Sequence, residues 1–350
     1  MRTFFHILIL LISLVVYATV LFPPNWFWPL ALISSTIPLF LFYHLFSFLW
    51  KIRRGWKKLW THGIALATGF PFLMASFGIP KAFLSDGALH VLSYNVHGFR
   101  NTQLPNNAEG MRNFYEWTVE HPAAIKVFQE FYCQKDQQSN DTYTYFINKG
   151  YYGLFEPLTV GTIYHEMGLA IFSKYPIINS GRLFPVDVKD GDLNNVVFAD
   201  ILFQKDTVRI YNAHFQSMGI DPNHVLETNQ LKDQYANVGK KFVAGSLKRT
   251  WQFEQSLKHA AECPYPVIFA GDFNALPYSY GYMKFRRQFK NAFEQMGTGF
   301  GFSMNSELWF LRIDNIFYEA RKFRLTRFKT RNDIKYSDHF PIEGEFELGK

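Results

Sequence analysis

The first fifty residues restrict the fold more than any other part of the chain. Positions 4–22, FFHILILLISLVVYATVLF, are almost unbroken apolar sequence. As a helix that run spans about 28 Å, close to the hydrocarbon thickness of a bilayer. The turn-forming Pro23-Pro24-Asn25 follows, and then a second apolar run, 26–50, bracketed by tryptophans of the kind that suit a membrane–water interface. Two adjacent runs with almost no polar face do not suit a soluble helical hairpin. A weaker third run at about 62–80 is interrupted by Gly63, Gly69, Pro71 and Gly78, which membranes tolerate. A cleaved signal peptide is disfavoured, because no small-x-small site closes the first run and another span follows at once.

Charge orients these runs. Between the second and third lies KIRRGWKK (51–58), with five positive charges, which the positive-inside rule places in the cytoplasm. Three spans then put everything after residue 80 on the far side of the inner membrane. Two spans, with the third run lying in the interface, would leave it cytoplasmic. We favour three: a transmembrane module over 1–85 and a separate, extracytoplasmic domain over 88–350. Residues 1–87 hold seven Lys+Arg and one acid, Asp86, a net of +6, which leaves +1 of the total +7 for 88–350. The basic excess therefore belongs to the apolar third and gives no nucleic-acid footprint on the domain itself. The two cysteines, Cys133 and Cys263, are too few for a disulfide scaffold or a four-cysteine zinc site.

From residue 88 short β-rich runs recur, among them HVLSYNV (90–96), AAIKVFQEF (123–131), TVRIYNAHF (207–215), PVIFAGDFN (266–274) and RIDNIFY (312–318). Helical patterns fall near 108–120 and 225–262. Many strands with few helices imply one α/β domain on two packed sheets. Several runs end in a polar residue that a plain strand does not require: Asn95, Glu130, His214, Asp272 with Asn274, Asp314, and the pair Asp338-His339. Taken singly, each has a dull explanation as a solvated strand end or a turn former. Together they place four carboxylates, two histidines and two asparagines at strand ends, where side chains converge on one rim. Carboxylate and amide oxygens fit a hard divalent cation, Mg²⁺ or Mn²⁺. Such a cation with nearby histidines suits attack of water on phosphorus. No phosphate-binding loop of the Walker type is present.

The ordered set SYNVHG, FQEFY, GLAIFSKYPI, NAHF, GDFNALP, RIDNIF and SDHFP resembles the endonuclease/exonuclease/phosphatase family, which includes deoxyribonuclease I, AP endonucleases, neutral sphingomyelinases and inositol polyphosphate 5-phosphatases. The resemblance covers essentially 88–350. It implies a four-layer α/β sandwich of two mixed sheets with one metal-dependent site at their rim. By the resemblance, Glu130 is the principal metal ligand, with Asn95 beside it and Asp338 as a second metal-side carboxylate. Asp272 orients or deprotonates the attacking water, and Asn274 helps hold phosphate and water. His214 and His339 donate to the phosphate oxygens, and Asp314 fixes the ring of His339. Whether Asp272 or His339 is the working base stays open. Arg249 and Gln252 resemble the family's supporting arginine and glutamine, with Arg249 and His97 assigned to substrate binding.

Departures narrow the substrate. His97 and Phe131 stand where AP endonucleases usually carry an acid and a lysine. GDFNALP and LRIDNIF lack the arginine and Cys-Asp-Arg of the inositol phosphatases. NAHF looks more like the deoxyribonuclease I and sphingomyelinase branches, and the apolar N-terminus resembles membrane-anchored bacterial members. The expectation is a membrane-anchored, Mg²⁺-dependent hydrolase of a phosphodiester, either a lipid head group or nucleic acid, with the bilayer as its other partner. An extracellular endonuclease and a catalytically inactive membrane-binding module on the same fold are the alternatives. A basic run at Lys284, Arg286 and Arg287 would serve the nuclease, but reads more simply as a solvated helix face.

Overall fold

The computed structural model describes residues 2–52, 59–79, 81, 89–100, 108–134, 142–162, 165–186, 192–218 and 231–349. Residues 53–58 of the basic stretch 51–58 thus lie outside the described residues. The first apolar run forms α1 (Arg2–Ala18), continued by a 3-10 turn over Thr19–Leu21 and ended at the prolines. The second is broken in two. It starts at Pro29, which suits the first turn of a helix, as α2 (Pro29–Ser34), and resumes as α3 (Ile37–Ile52). The third run forms α4 (Trp60–Ser76), shorter than 62–80 at its far end because Phe77 turns extended. By length and composition, Phe4–Leu21 and Pro29–Ile52 are long and apolar enough to cross a membrane. Their outer faces stay uncovered: Phe4, Leu11, Val15, Leu39, Phe46 and Leu49 are all more than half exposed.

Inside this bundle runs a polar ladder. Lys51 Nζ lies 2.9 Å from His62 Nε2 and 2.9 Å from His6 Nε2. His62 Nδ1 meets His44 Nδ1 at 2.9 Å, and His44 Nε2 meets Ser13 Oγ at 2.8 Å. An ammonium only donates, so His62 accepts at Nε2 and carries its proton on Nδ1. That proton points at His44, which in turn donates to Ser13, whose hydroxyl donates to the Ile9 carbonyl at 2.7 Å. The ladder has one consistent direction, and it ties three helices together where apolar packing alone discriminates little. Its pairings, with Gly69 against Leu41 and Tyr17, make α4 antiparallel to α3 and parallel to α1.

The rest of the chain builds strands β1 (Leu89–Asn95), β2 (Ile125–Gln134), β3 (Tyr152–Thr162), β4 (His165–Ser173), β5 (Ile177–Arg182) and β6 (Asn195–Phe203). They are followed by β7 (Asp206–His214), β8 (Val267–Asp272), β9 (Lys290–Asn291), β10 (Asp314–Tyr318), β11 (Phe323–Thr330) and β12 (Ile342–Leu348). They form two six-stranded mixed sheets, ordered β11-β12-β1-β2-β4-β3 and β5-β6-β7-β8-β10-β9. Leu89, Val91, Ile125 and Val127 of the first sheet pack against Val208, Ile210, Ile268 and Ile316 of the second. The first sheet's outer face carries Tyr94 and Phe128 beneath the helices 108–120 and 142–148. The second's outer face carries Tyr211 and Phe269 beneath the helices 231–261 and 280–288. Helix, sheet, sheet and helix layers make the expected sandwich.

Period-2 alternation decides where the polar strand ends point. Asn95 shares parity with core residues Val91 and Leu89; His214 with Ile210 and Val208; Asp272 with Ala270 and Ile268; Asp314 with Ile316. All four therefore face the space between the sheets, at its rim. One layer below, Gln129 donates to Asn212 at 2.6 Å, and Asn212 donates to the carbonyls of Phe128 and Ala170. This buried amide bridge stitches the two sheets at the floor of the rim.

Candidate active site

Strand register lines up the second sheet's contribution. His214 is aligned with Asp272 across the parallel β7–β8 pair, and Asp272 with Asp314 across the antiparallel β8–β10 pair. Glycine is required beside them. Gly271 has φ +150°, and a Cβ there would meet the Ala213 carbonyl oxygen at 1.9 Å.

The first sheet reaches the rim differently. Asn95 ends β1 opposite Gln129, and a bulge between Phe128 and Phe131 frees Glu130 from the ladder. Glu130 takes a left-handed φ of 51°, which costs a non-glycine residue about 1–2 kcal/mol and aims its carboxylate into the cleft. Ser337 docks the final turn: its hydroxyl donates to the Asn95 carbonyl at 2.8 Å, and its N–H donates to the Tyr94 hydroxyl at 3.0 Å. That contact brings Asp338 and His339 to the same rim.

The side chains converge. His339 Nδ1 meets Asp314 Oδ2 at 2.9 Å, and its Nε2 lies 3.8 Å from Asp272 Oδ2. His214 donates Nδ1–H to the Leu193 carbonyl at 2.9 Å. This leaves Nε2 facing the cleft, 3.7 Å from Asp272 and 3.8 Å from Glu130. Asn274, with φ +48°, donates its N–H to Asp272 Oδ1 at 2.8 Å. Asn95 accepts the His97 N–H on Oδ1 at 3.1 Å, so its amide hydrogens point to Glu130 and Asp272 at 3.4 and 3.3 Å. In that orientation Asn95 presents hydrogens rather than the oxygen expected of a metal ligand.

His97 stands 3.6 Å from Glu130 and 3.4 Å from Asp338, against the two carboxylates expected to face the metal. Arg249 is buried and directed elsewhere. It donates to the Gln216 carbonyl while Gln252 accepts the Gln216 N–H at 2.8 Å. The two hold the strand extension after His214, whereas substrate contact was expected of Arg249. Sequence reasoning missed Gln129, Asn212 and Ser337, although each lies inside a quoted string. For Gln129 and Asn212 the signal was a polar residue at an inward, core-parity position of a strand; Ser337 sits in a turn, where no such signal exists.

Charge sets the chemistry. Burial pushes the Asp272 carboxyl up, and neighbouring Asp314 pushes it further, against the pull of His339 and His214. Burial would lower His339, but Asp314 and then Asp272 outweigh it and hold the imidazolium well above its ordinary range. Burial brings the Arg249 guanidinium down to about 10. Among the described residues no Lys or Arg pairs with Glu130, Asp272, Asp314 or Asp338. Arg249 acts on Asp272 only at a distance, and the ion-pair partners of the four carboxylates are histidines. Such a set is stable only with a cation or bound protons, and its oxygen donors fit a hard divalent ion. Glu130 and Asp338 are the open pair, with side chains 22% and 28% exposed, whereas that of Asp272 is 2% exposed.

The family model described as "Endonuclease/Exonuclease/phosphatase family" matches residues 92–339, which takes in every one of these positions. The chain belongs to the endonuclease/exonuclease/phosphatase family. Among solved structures, an endonuclease/exonuclease/phosphatase family protein from Leptotrichia buccalis is similar at TM-score 0.53 and 17% identity, over 74% of this chain and 100% of that one. A family member from Beutenbergia cavernae gives 0.52 and 14%, over 75% and 72%. The human Nocturnin catalytic domain with bound sulfate gives 0.53 and 15%, over 76% and 96%. At these identities the likeness speaks for the fold. No curated protein matches the chain by sequence. Family membership makes the protein a metal-dependent phosphoric ester hydrolase.

Proposed function

We propose that the protein is a membrane-anchored phosphodiesterase dependent on Mg²⁺ or Mn²⁺, with its two-sheet body on the extracytoplasmic face of the inner membrane. The observation that carries the catalytic part is the cleft of four carboxylates with which, among the described residues, no lysine or arginine forms an ion pair. Glu130 and Asp338 would hold the cation, which when bound polarises the phosphate and stabilises the departing oxyanion. Asp272, held by the Asn274 N–H, accepts a proton from water aligned for in-line attack. The imidazolium of His339, and His214 in its doubly protonated form, donate to the non-bridging oxygens as charge builds on them. Asp314 positions His339 and keeps it charged.

The membrane part is supported by the uncovered apolar faces of α1 and α3 and by the way α4 completes the bundle. Because α4 runs antiparallel to α3, residues 76–79 leave the bundle at the end opposite Lys51. With the 51–58 charges cytoplasmic, the body then lies outside. Against the nuclease alternative, Arg286 pairs with Glu294 and Lys284 with Glu254, so the basic run does not stand as an uncompensated face.

The test is hydrolysis of bis-p-nitrophenyl phosphate by the full chain in detergent. Turnover with Mg²⁺ that chelation abolishes is expected. Unchanged turnover in chelator, or no turnover with any divalent ion, overturns the proposal.

A further inference from the structure

Two of the loops beside the catalytic rim touch the helical bundle. On one side the loop after β8 approaches the turn of the helical hairpin. Asn274, Ala275 and Tyr278 share a cavity of about 60 Å³ with Phe22, Leu30 and Ser34. On the other side the segment 297–312, which leads into Asp314, joins the end of α4. Gly78 and Gly299 exchange two backbone hydrogen bonds, of 2.7 and 2.9 Å. From this junction a string of rings runs outward. Phe77 packs edge-on to Phe300 at 5.2 Å, Phe300 stacks on Phe302 at 5.2 Å, Phe302 meets Trp309 at 5.6 Å and Trp309 meets Phe310 at 5.9 Å.

Water reaches much of this string. Phe77 is 46% exposed, Ile79 60%, Phe300 43%, Trp309 60% and Phe310 50%. Such a continuous exposed aromatic patch calls for a partner. Beneath it lies a groove of about 820 Å³, where exposed Lys329 and Lys335 join Phe302, Trp309 and Phe340. The groove backs directly onto catalytic residues, since Met304 bridges to His339 and the Asn305 N–H donates to the Asp338 carbonyl at 2.6 Å.

We infer that segment 297–312 is an interfacial anchor that seats the catalytic rim on the bilayer, and that the substrate is a phospholipid drawn from that leaflet. Its phosphodiester lies at the rim and its apolar part along the aromatic groove. The inference rests on the proposed membrane-anchored phosphodiesterase and names its substrate. Continuity commits the patch to a bilayer: the rings extend from the end of an apolar helix whose own outer face is uncovered. Tryptophan suits that depth, and lysines beside it suit anionic head groups. Exposed rings also stack on bases, but a nucleic-acid groove requires a basic track along the backbone, and residues 88–350 carry a net charge of only +1.

The experiment reconstitutes the full chain in vesicles of phosphatidylethanolamine and phosphatidylglycerol. Brominated acyl chains are expected to quench fluorescence that is missing from Trp309→Phe. Phospholipid cleavage is expected, with a soluble diester hydrolysed in parallel. The double variant Ile79→Ser/Phe310→Ser is expected to lose about tenfold in kcat/KM on vesicles, from the apolar contact removed, and nothing on bis-p-nitrophenyl phosphate. The inference is overturned if Trp309 is not quenched, if both substrates fall equally in the double variant, or if DNA is cleaved in preference to lipid. Quenching of Trp309 without hydrolysis of any diester would instead overturn the phosphodiesterase reading.

Discussion

Two clusters of histidine and carboxylate lie at opposite ends of the first sheet's central strands, and they balance charge in opposite ways. Away from the rim, Glu343 accepts from His90 Nε2 at 3.0 Å and lies within ion-pair distance of His121 Nε2, at 3.1 Å, and of Arg331 Nη1, at 3.5 Å. One carboxylate faces three nitrogen groups. Although burial opposes it, the two imidazoles hold the Glu343 carboxyl far below its usual range. The Ala123 N–H donates to His121 Nδ1 at 3.2 Å, which keeps the proton on Nε2, towards Glu343, and leaves no lone pair there for a metal. At the rim the ratio is reversed: among the described residues, four carboxylates have only histidines as ion-pair partners. Similar residue types give a self-sufficient strut at one end and a cleft that demands a cation at the other.

Substitutions separate the strut from the cleft. The largest effect is expected from Asp272→Asn, which keeps the shape and removes the proposed base: kcat should fall by about 10³, within the range for general-base catalysis, measured on a soluble diester. Asp314→Asn should cost about 10² in kcat by releasing His339, and it carries a pH signature. His339 is held above its ordinary range, so the active imidazolium persists to alkaline pH and is lost as pH rises through that raised value. Without Asp314 the alkaline limb of kcat should move down towards about 6.5; an unmoved limb would remove His339 from the mechanism.

At the strut the readout is stability. Glu343→Gln should lower unfolding stability by about 3 kcal/mol, the low end for breaking a buried ion pair, with kcat unchanged. Because the Glu343 carboxyl is depressed, its contribution is full above about pH 4.3, its unfolded value, and fades as pH falls below that. The variant should lack this acid-side slope in thermal unfolding. The smallest effect is a ligand shift. Mg²⁺ at a hundred times its Kd should stabilise the wild type by about 2.7 kcal/mol, and Glu343→Gln by as much, whereas Glu130→Gln should show little gain.

Parity made much of the cleft legible. His214, Asp272 and Asp314 are inward positions of apolar strands, and alternation alone predicts that they meet. Glu130 was found as a strand-end carboxylate, yet its bulge and left-handed backbone were not foreseen, because a one-residue register shift leaves no mark on composition. The Gln129–Asn212 bridge was invisible for a related reason: an amide at a core position looks like noise until the opposing sheet supplies its partner. For Arg249 the partner was not legible, since a helix pattern says which residues face the body and not which carbonyl each one reaches. The break in the second apolar run, at Ser35 and Thr36, falls on the short hydroxyl stretch Ser34-Ser35-Thr36 just before Pro38, too brief to interrupt a run read over twenty-five positions.

Arg312, two residues before Asp314, donates to the Ala75 carbonyl at the end of α4, and to Asn315 Oδ1 at 2.6 Å and Tyr282 OH at 3.1 Å. A soluble fragment starting after residue 80 would strip one acceptor from a guanidinium that is almost wholly enclosed, and would expose Phe300 where Phe77 had covered it. Truncation would therefore reach the carboxylate that orients His339 by way of a single side chain. Assays on such fragments would report a loosened enzyme, and the N-terminal helices are better regarded as part of the catalytic scaffold than as a detachable appendage.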